Sequence, residues 1–142
     1  MMRPTWDKYF LGIADQVSRR ASCPRAAVGA VIVSDDHHIL STGYNGAPSG
    51  EPHCLDAGCL VEDDHCQRVL HAEVNAIAWA ARRGVSIEGA SLYIFARQPT
   101  ISIIIDMPCR ECAKVVKAVG IERIHQWHVS GDDAPAFPIN MR

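Results

Sequence analysis

The order of hydrophobic and polar positions predicts a helix and two strands at the start of the chain. Apolar residues recur at helical spacing from Trp6 to Val17, and Thr5 is suited to cap this helix. Residues 26–33 are a short apolar run that is typical of a buried strand, and residues 38–44 are predicted to form a second strand. The turn-like segment SDDH lies between them, so we expect the two strands to pair as a hairpin.

A second helical pattern covers residues 71–83 and stops at Gly84, a residue that suits a helix end. Its centre, IAWAA, consists of packing residues and predicts a buried helix. The first turns are different, because they carry the imidazole of His71, the carboxylate of Glu73 and the amide of Asn75. A helix that only filled a core would not need three such groups at its start.

The remaining segments complete an alternation of strands and helices. Three of them are strand-like: 90–96, 100–106 and 122–129. Pro108 is predicted to open a helix that ends at Gly120. Residues 45–66 are predicted to be a long irregular loop, and such loops in compact domains are usually functional or held by a metal. With no linker or repeat, the pattern predicts one three-layer α/β/α domain over residues 1–142.

Composition narrows the class of protein. A net charge of −2 offers no general attraction to polyanions, so we expect neither a nucleic-acid nor a membrane partner. No apolar run approaches the ~20 residues of a membrane span, and the N-terminus lacks the apolar core of a signal peptide. We therefore expect a cytoplasmic protein. Disulfides are rare in the cytosol, so the six cysteines indicate metal binding or catalysis.

Four residues predict a catalytic zinc site. Cys109 and Cys112 are three apart at a helix start, where the helix dipole lowers thiol pKa values. His71 also starts a helix, so two helix starts that meet would form a His–Cys–Cys site. Three protein ligands leave the fourth position of a tetrahedral zinc for water. Glu73, two residues from His71, would point elsewhere and reach that water as a general acid and base.

Each of these residues has an ordinary explanation when it is taken alone. A histidine at a helix start usually caps or packs, and a glutamate in a first turn usually reflects the helix dipole. A lone C-x-x-C is sometimes a redox pair. Their joint occurrence at two helix starts favours the zinc site.

The motifs HAEVNAI and PCREC resemble the H-x-E and P-C-x-x-C signature of zinc-dependent deaminases. The stretch GYNGAPSG, followed by PHC, GC and HC, narrows the resemblance to the deoxycytidylate deaminases of bacteria and phages. The matching stretches cover nearly the whole chain except the tail and the residues near 97–106.

The resemblance implies a mixed sheet sandwiched by helices and a Zn²⁺ held by His71, Cys109 and Cys112. The implied reaction is hydrolysis of dCMP to dUMP and ammonia in pyrimidine deoxynucleotide metabolism. Water would attack C4 of cytosine, and Glu73 would protonate N3 and then the leaving amine.

The resemblance also implies binding residues, effectors and assembly. Asn45 would contact the substrate sugar, the backbone of Ala72 would read the pyrimidine edge, and Arg25 is a candidate phosphate contact. The family is oligomeric and commonly hexameric, and many members respond to dCTP and dTTP. The implied effector-binding turn comprises Gly43, Tyr44, Asn45 and Gly46. Asn-Gly is also a strong turn dipeptide, and the two explanations are compatible.

A second, structural zinc is expected near the long loop. Some relatives carry one in this region, and closed structural sites take four Cys or His ligands. We expect its ligands to come from Cys54, Cys59, His65, Cys66 and Cys23, without a choice among them. The alternative is a set of reduced, partly buried thiols.

Two other functions stay open. Deamination of a 5-substituted dCMP or of another cytosine or adenine base keeps the same chemistry. A nucleic-acid substrate would need a basic groove with stacking aromatics, which the net charge of −2 and 6% aromatic residues do not favour. A zinc-stabilised nucleotide-binding regulator without catalysis would have no use for Glu73.

The sequence departs from the family between Tyr93 and Pro108. The segment IFARQPTISIIIDM is longer than the usual connection, and Asp106 and Met107 replace the usual residues before the proline. Its apolar run ISIII needs cover, either inside the sheet or on a neighbouring subunit. We expect residues 97–107 to alter the substrate pocket or the oligomer interface while zinc ligation stays intact.

Overall fold

The computed structural model of the protein describes residues 2–98 and 108–130. Within these residues lie four helices and six strands: α1 (Trp6–Ser18), β1 (Ala27–Val33), β2 (Ile39–Tyr44), α2 (Cys54–Ala57), β3 (Val61–Glu62), β4 (His65–Cys66), α3 (Ala72–Arg83), β5 (Ser91–Gln98), α4 (Arg110–Ala118) and β6 (Arg123–Ser130). The predicted strand at 100–106, most of the lengthened segment and the tail lie outside the described residues.

The larger sheet is mixed, with the strand order β2-β1-β5-β6. β1 is antiparallel to both neighbours, with Gly29 opposite Tyr44 on β2 and opposite Phe95 on β5. β5 and β6 are parallel, so their connection crosses over through α4. The hairpin predicted for β1 and β2 and the mixed sheet implied by the family resemblance are both confirmed.

Helices cover the two faces of this sheet and form two separate cores. On one face, α1 packs its Phe10, Leu11 and Ala14 against Tyr93 and Phe95 of β5. On the other face, α3 and α4 pack against β1 and β5 in a cluster that includes Ala76, Val116, Ile32, Leu92 and Ile94. The predicted α/β/α layering is therefore confirmed.

Local capping sets the starts and ends of the helices. Thr5 caps α1 as predicted, because its Oγ1 accepts a hydrogen bond from the N–H of Lys8 at 3.3 Å. Gly84 ends α3 in the left-handed conformation, with φ of 67°. The predicted start of the next helix was early, since Cys109 is the N-cap of α4 and Pro108 precedes it.

The prediction that α3 is buried was wrong for its outer side. Its buried residues, Ala72, Glu73, Ala76 and Ala80, recur three or four positions apart and face the sheet. Trp79 lies off this stripe, is 39% exposed, and has the guanidinium groups of Arg82 and Arg83 5.2 and 5.5 Å from its ring centroid. A helix on the face of a sheet can bury only one stripe.

The long loop has more structure than its polar sequence indicated. It contains the short helix α2 and the antiparallel ladder β3–β4. Asp63 and Asp64 join the two strands with φ of 48° and 64°, as a two-residue turn with left-handed residues requires. The predicted irregular loop is therefore partly ordered by local turn chemistry.

Gly43 allows α3 to approach the sheet closely. A Cβ at this position would lie 2.4 Å from the Ala76 nitrogen and 2.5 Å from the Ala72 oxygen. The hydroxyl of Ser41 donates to the Ala76 carbonyl at 2.6 Å. These contacts place the start of α3 against the end of β2. Over the described part of the chain, the helices are too short or too polar to cross a membrane.

Candidate active site

The starts of α3 and α4 bring three predicted zinc ligands together. His71 is the N-cap of α3, and Cys109 and Cys112 are the N-cap and third residue of α4. The Nδ1 atom of His71 lies 3.1 Å from Cys112 Sγ and 3.3 Å from Cys109 Sγ. All three donor atoms lie within 4.8 Å of one another. The two helix starts therefore meet, as the predicted His–Cys–Cys site requires.

The donor set fits a zinc ion. Thiolate sulfur at ~2.3 Å and imidazole nitrogen at ~2.0 Å from a tetrahedral zinc are separated by about 3.5 Å. The nitrogen–sulfur distances in the structure are close to this separation. Burial, followed by the negative charge of Glu73, raises the pKa of the Cys112 thiol. A divalent cation between the donors would offset both effects.

Glu73 is a buried carboxyl group beside this cluster. It is the second residue of α3 and only 3% exposed. Burial raises the pKa of Glu73, while its own backbone N–H and the nearby His71 act in the opposite direction. A buried carboxyl group with a raised pKa beside candidate metal ligands suits proton transfer.

Both polar atoms of the Asn45 side chain are hydrogen-bonded to the backbone, which the sequence did not reveal. Its side chain is 7% exposed. Its Oδ1 accepts from the N–H of Val28 at 2.7 Å, and its Nδ2 donates to the carbonyl of Ala26 at 2.8 Å. An amide has two donors and two lone pairs, so within the described part of the chain one donor and one lone pair of Asn45 are left over.

Ala72 and Arg25 have different environments. Ala72 is fully buried as the first residue of α3, where a backbone N–H has no acceptor within its helix. Arg25 faces Asp64 instead, donating to its carboxylate at 3.1 Å and its carbonyl at 3.2 Å. Both partners of this ion pair reach solvent, so it is weak.

Some residues of the predicted effector-binding turn pack closely against neighbouring groups, and some line an open cavity. Gly43 and Tyr44 line a cavity of about 430 Å³ together with Thr42, Asn75 and Trp79. Gly46 permits a close approach, because a Cβ there would lie 2.8 Å from Ser22 Oγ. Packing alone therefore accounts for the glycine at positions 43 and 46.

Four of the five candidate ligands for the second zinc converge. The cysteines at positions 23, 54, 59 and 66 have their sulfurs within 4.8 Å of one another, whereas His65 is exposed and outside the group. Cys54 lies 3.5 Å from Cys66, and Cys23 lies 3.7 Å from Cys59. Burial acts to raise the pKa of Cys66, but the N–H groups of Arg68 and Leu60 lower it to about 7. Four sulfurs enclosing one point are typical of a structural zinc site.

Two polar contacts near these clusters were not foreseen. Ser22 Oγ and His53 Nδ1 are 2.6 Å apart, directly beside Cys23 and Cys54. The amide of Asn75 binds backbone carbonyls of the turn at residues 44–46. Asn75 stood out in the sequence as a polar residue near a helix start, but its partners are distant in sequence.

The zinc-binding region that defines the cytidine and deoxycytidylate deaminases matches residues 4–127. The chain therefore belongs to this family of zinc-binding deaminases. Within it, the chain is 36% identical over 135 residues to the deoxycytidylate deaminase of Mycobacterium phage D29, covering 87% of this chain and 95% of that protein.

Two further comparisons extend this relationship. ComE operon protein 2 of Bacillus subtilis (strain 168) is 38% identical over 125 residues, and the match covers 88% of this chain but 60% of that protein. The crystal structure of dCMP deaminase from the cyanophage S-TIM5, in complex with dCMP and dUMP, matches with a TM-score of 0.70 and 30% identity. That match covers 90% of this chain and 85% of the other.

Proposed function

We propose that the protein hydrolyses dCMP to dUMP and ammonia and uses one Zn²⁺ held by His71, Cys109 and Cys112. The observation that carries this proposal is the convergence of these three donors beside the buried carboxyl group of Glu73. Phage relatives that are dCMP deaminases, one of them bound to dCMP and dUMP, support the choice of substrate.

The residues of the site divide the chemistry between them. A zinc ion held by three ligands supplies a water of lowered pKa as the nucleophile. Glu73 takes one proton from the attacking water and delivers it to N3 of the cytosine. It then takes the proton of the new C4 hydroxyl, so that the C4 carbonyl forms, and delivers it to the amino group, which leaves as ammonia. The N–H of Ala72 holds the pyrimidine edge, and the free donor and acceptor of Asn45 hold the sugar. Arg25 would leave Asp64 to contact the phosphate.

The substrate assay is ammonia release from dCMP, compared with cytidine, a 5-substituted dCMP and a cytosine-containing oligonucleotide. We expect dCMP to be the best substrate. If the oligonucleotide or the 5-substituted nucleotide were deaminated faster than dCMP, that compound would be the preferred substrate and the proposal of dCMP would be wrong. No release from any of them by zinc-loaded protein would favour a nucleotide-binding regulator.

We also propose a second zinc, held by the four cysteines at positions 23, 54, 59 and 66. Its support is the approach of four sulfurs to within 4.8 Å of one another, three of them from an otherwise polar loop. Metal analysis of active protein should give two zinc ions per chain, and Cys59→Ser should lower this to one. One zinc per chain in a fully active preparation would exclude the site.

The proposed assembly and regulation are those that the family resemblance implies. We propose a cytoplasmic homo-oligomer, a hexamer, in which residues 1–142 act as one domain and dCTP and dTTP bind beside Gly43 and Tyr44. The cavity of about 430 Å³ at these residues supports the location. Light scattering tests the assembly, and dCMP saturation curves with each nucleotide test the regulation. A monomer that is insensitive to both would contradict this proposal.

A further inference from the structure

The side chain of Asn75 joins the catalytic helix to the turn that carries Asn45. Its Nδ2 donates to the carbonyl of Tyr44 at 2.8 Å and to that of Gly46 at 3.3 Å, and the carbonyl of Leu70 lies 3.5 Å away. Three carbonyl oxygens around one group require a donor, so the chemistry orients the amide without ambiguity. An aspartate of the same shape would instead face these oxygens with its own negative oxygens.

The turn and the helix start are also bound to each other through the backbone. Gly46 and Leu70 exchange two hydrogen bonds, of 3.2 and 2.9 Å, as an isolated bridge. The N–H of Asn75 donates to the His71 carbonyl at 2.9 Å, which closes the first turn of α3. Asn75 therefore uses its backbone to hold the residue that starts the zinc site and its side chain to hold residues 44–46.

Asn45 occupies the centre of this connection. Its carbonyl accepts from Ser22 at 3.1 Å, and its side chain spans Ala26 and Val28, as described above. The residues on both sides of it, Tyr44 and Gly46, are the ones that Asn75 holds. A shift of this turn would move the free groups of Asn45 relative to Glu73 and the zinc ligands on α3.

We infer that Asn75 is a positioning residue, which keeps the sugar-binding Asn45 in register with the zinc-binding start of α3. This inference rests on the proposed function, because it gives Asn45 a substrate to hold. The side chain of Asn75 contacts the carbonyls of Tyr44 and Gly46 and acts through them, and it also lines the cavity beside Gly43 and Tyr44. This role explains why α3, which begins at the zinc site, carries an amide at its fourth residue.

The kinetic test is a double-mutant cycle between Asn75→Asp and Asn45→Ala. We expect Asn75→Asp to keep its zinc, to raise the KM for dCMP about tenfold and to change kcat less. If Asn75 acts through Asn45, the double variant will be no worse than the poorer single variant. Effects that multiply would overturn the inference, and so would an unchanged KM. Ala78→Asp, on the exposed side of α3, adds the same charge as a control.

Amide hydrogen exchange tests the connection without catalysis. In Asn75→Ser, which removes the donors without adding charge, the amides of Gly46 and Leu70 should exchange about tenfold faster, while those of α1 should not change. Unchanged exchange at both amides would refute the inference even if activity fell. Wild-type protein without dCMP deaminase activity would refute the proposed function instead, and the exchange result would still decide the role of Asn75.

Discussion

Replacement of Glu73 by glutamine tests the proposed chemistry most directly. Glutamine keeps the shape of the side chain but cannot exchange a proton with water, N3 or the leaving amine. Glu73 is 3% exposed, so bulk water is poorly placed to substitute for it. General acid–base catalysis is worth about 10²–10⁴-fold, or about 3–5 kcal/mol in activation free energy. Because Glu73 serves several transfers, we expect a loss near the upper end.

The assay is the rate of ammonia or dUMP formation at saturating dCMP. Zinc content and the unfolding midpoint are measured on the same preparation. Because burial raises the pKa of Glu73, the neutral glutamine should leave the fold at least as stable as wild type. Glu111→Gln is the matched control, since Glu111 also lies in the first turn of a zinc-site helix but is exposed and paired with Lys114. Turnover of Glu73→Gln close to wild type, in zinc-loaded protein, would refute the mechanism.

Three further predictions concern stability and the lengthened segment. Gly43→Ala should lower the free energy of unfolding by about 1–3 kcal/mol, as measured by urea denaturation, because its Cβ would overlap the backbone of α3; an unchanged midpoint would contradict this. Asp15→Asn should cost about 3–5 kcal/mol in the same assay, because it leaves the buried Arg97, now 2.7 Å from Asp15, without a counter-charge among the residues that the structure describes; a loss below 1 kcal/mol would show that the pair is screened. Deletion of residues 98–105 should leave the catalytic zinc bound but change the assembly seen by light scattering or the ranking of dCMP against its 5-substituted forms; if neither changed, the segment would be a neutral insertion.

Patterns that depend on near neighbours were predictable from the sequence. The cap at Thr5, the left-handed end at Gly84 and the hairpin of β1 and β2 each depend on residues a few positions apart. The spacing of the two motifs likewise predicted that His71, Cys109 and Cys112 would start two helices. The spacing alone does not require these two helix starts to lie together. The family resemblance implied that they do, because it implies a zinc ion bound by all three residues.

Predictions failed where burial depends on the surrounding structure. The apolar centre of α3 indicated burial all round, but the sheet covers only one side of this helix and leaves Trp79 partly exposed. The polar segment 45–66 indicated an irregular loop, but turn residues and the convergence of cysteines order parts of it. In both cases the prediction used only the polarity of the segment itself. Whether its residues are buried or ordered depends on the elements that pack against them.

The sequence by itself determined the elements, the types of donor atom and the residues available for catalysis. Only the tertiary structure decided that four thiols meet without His65, that Arg25 faces Asp64, and that Asn75 reaches the carbonyls of Tyr44 and Gly46. These partners lie up to 43 positions apart, since Cys23 and Cys66 share one cluster. Such distances close only when α3 packs against β2 at Gly43 and the loop folds back on residues 22–25, just before β1, and no local pattern of residues encodes that approach.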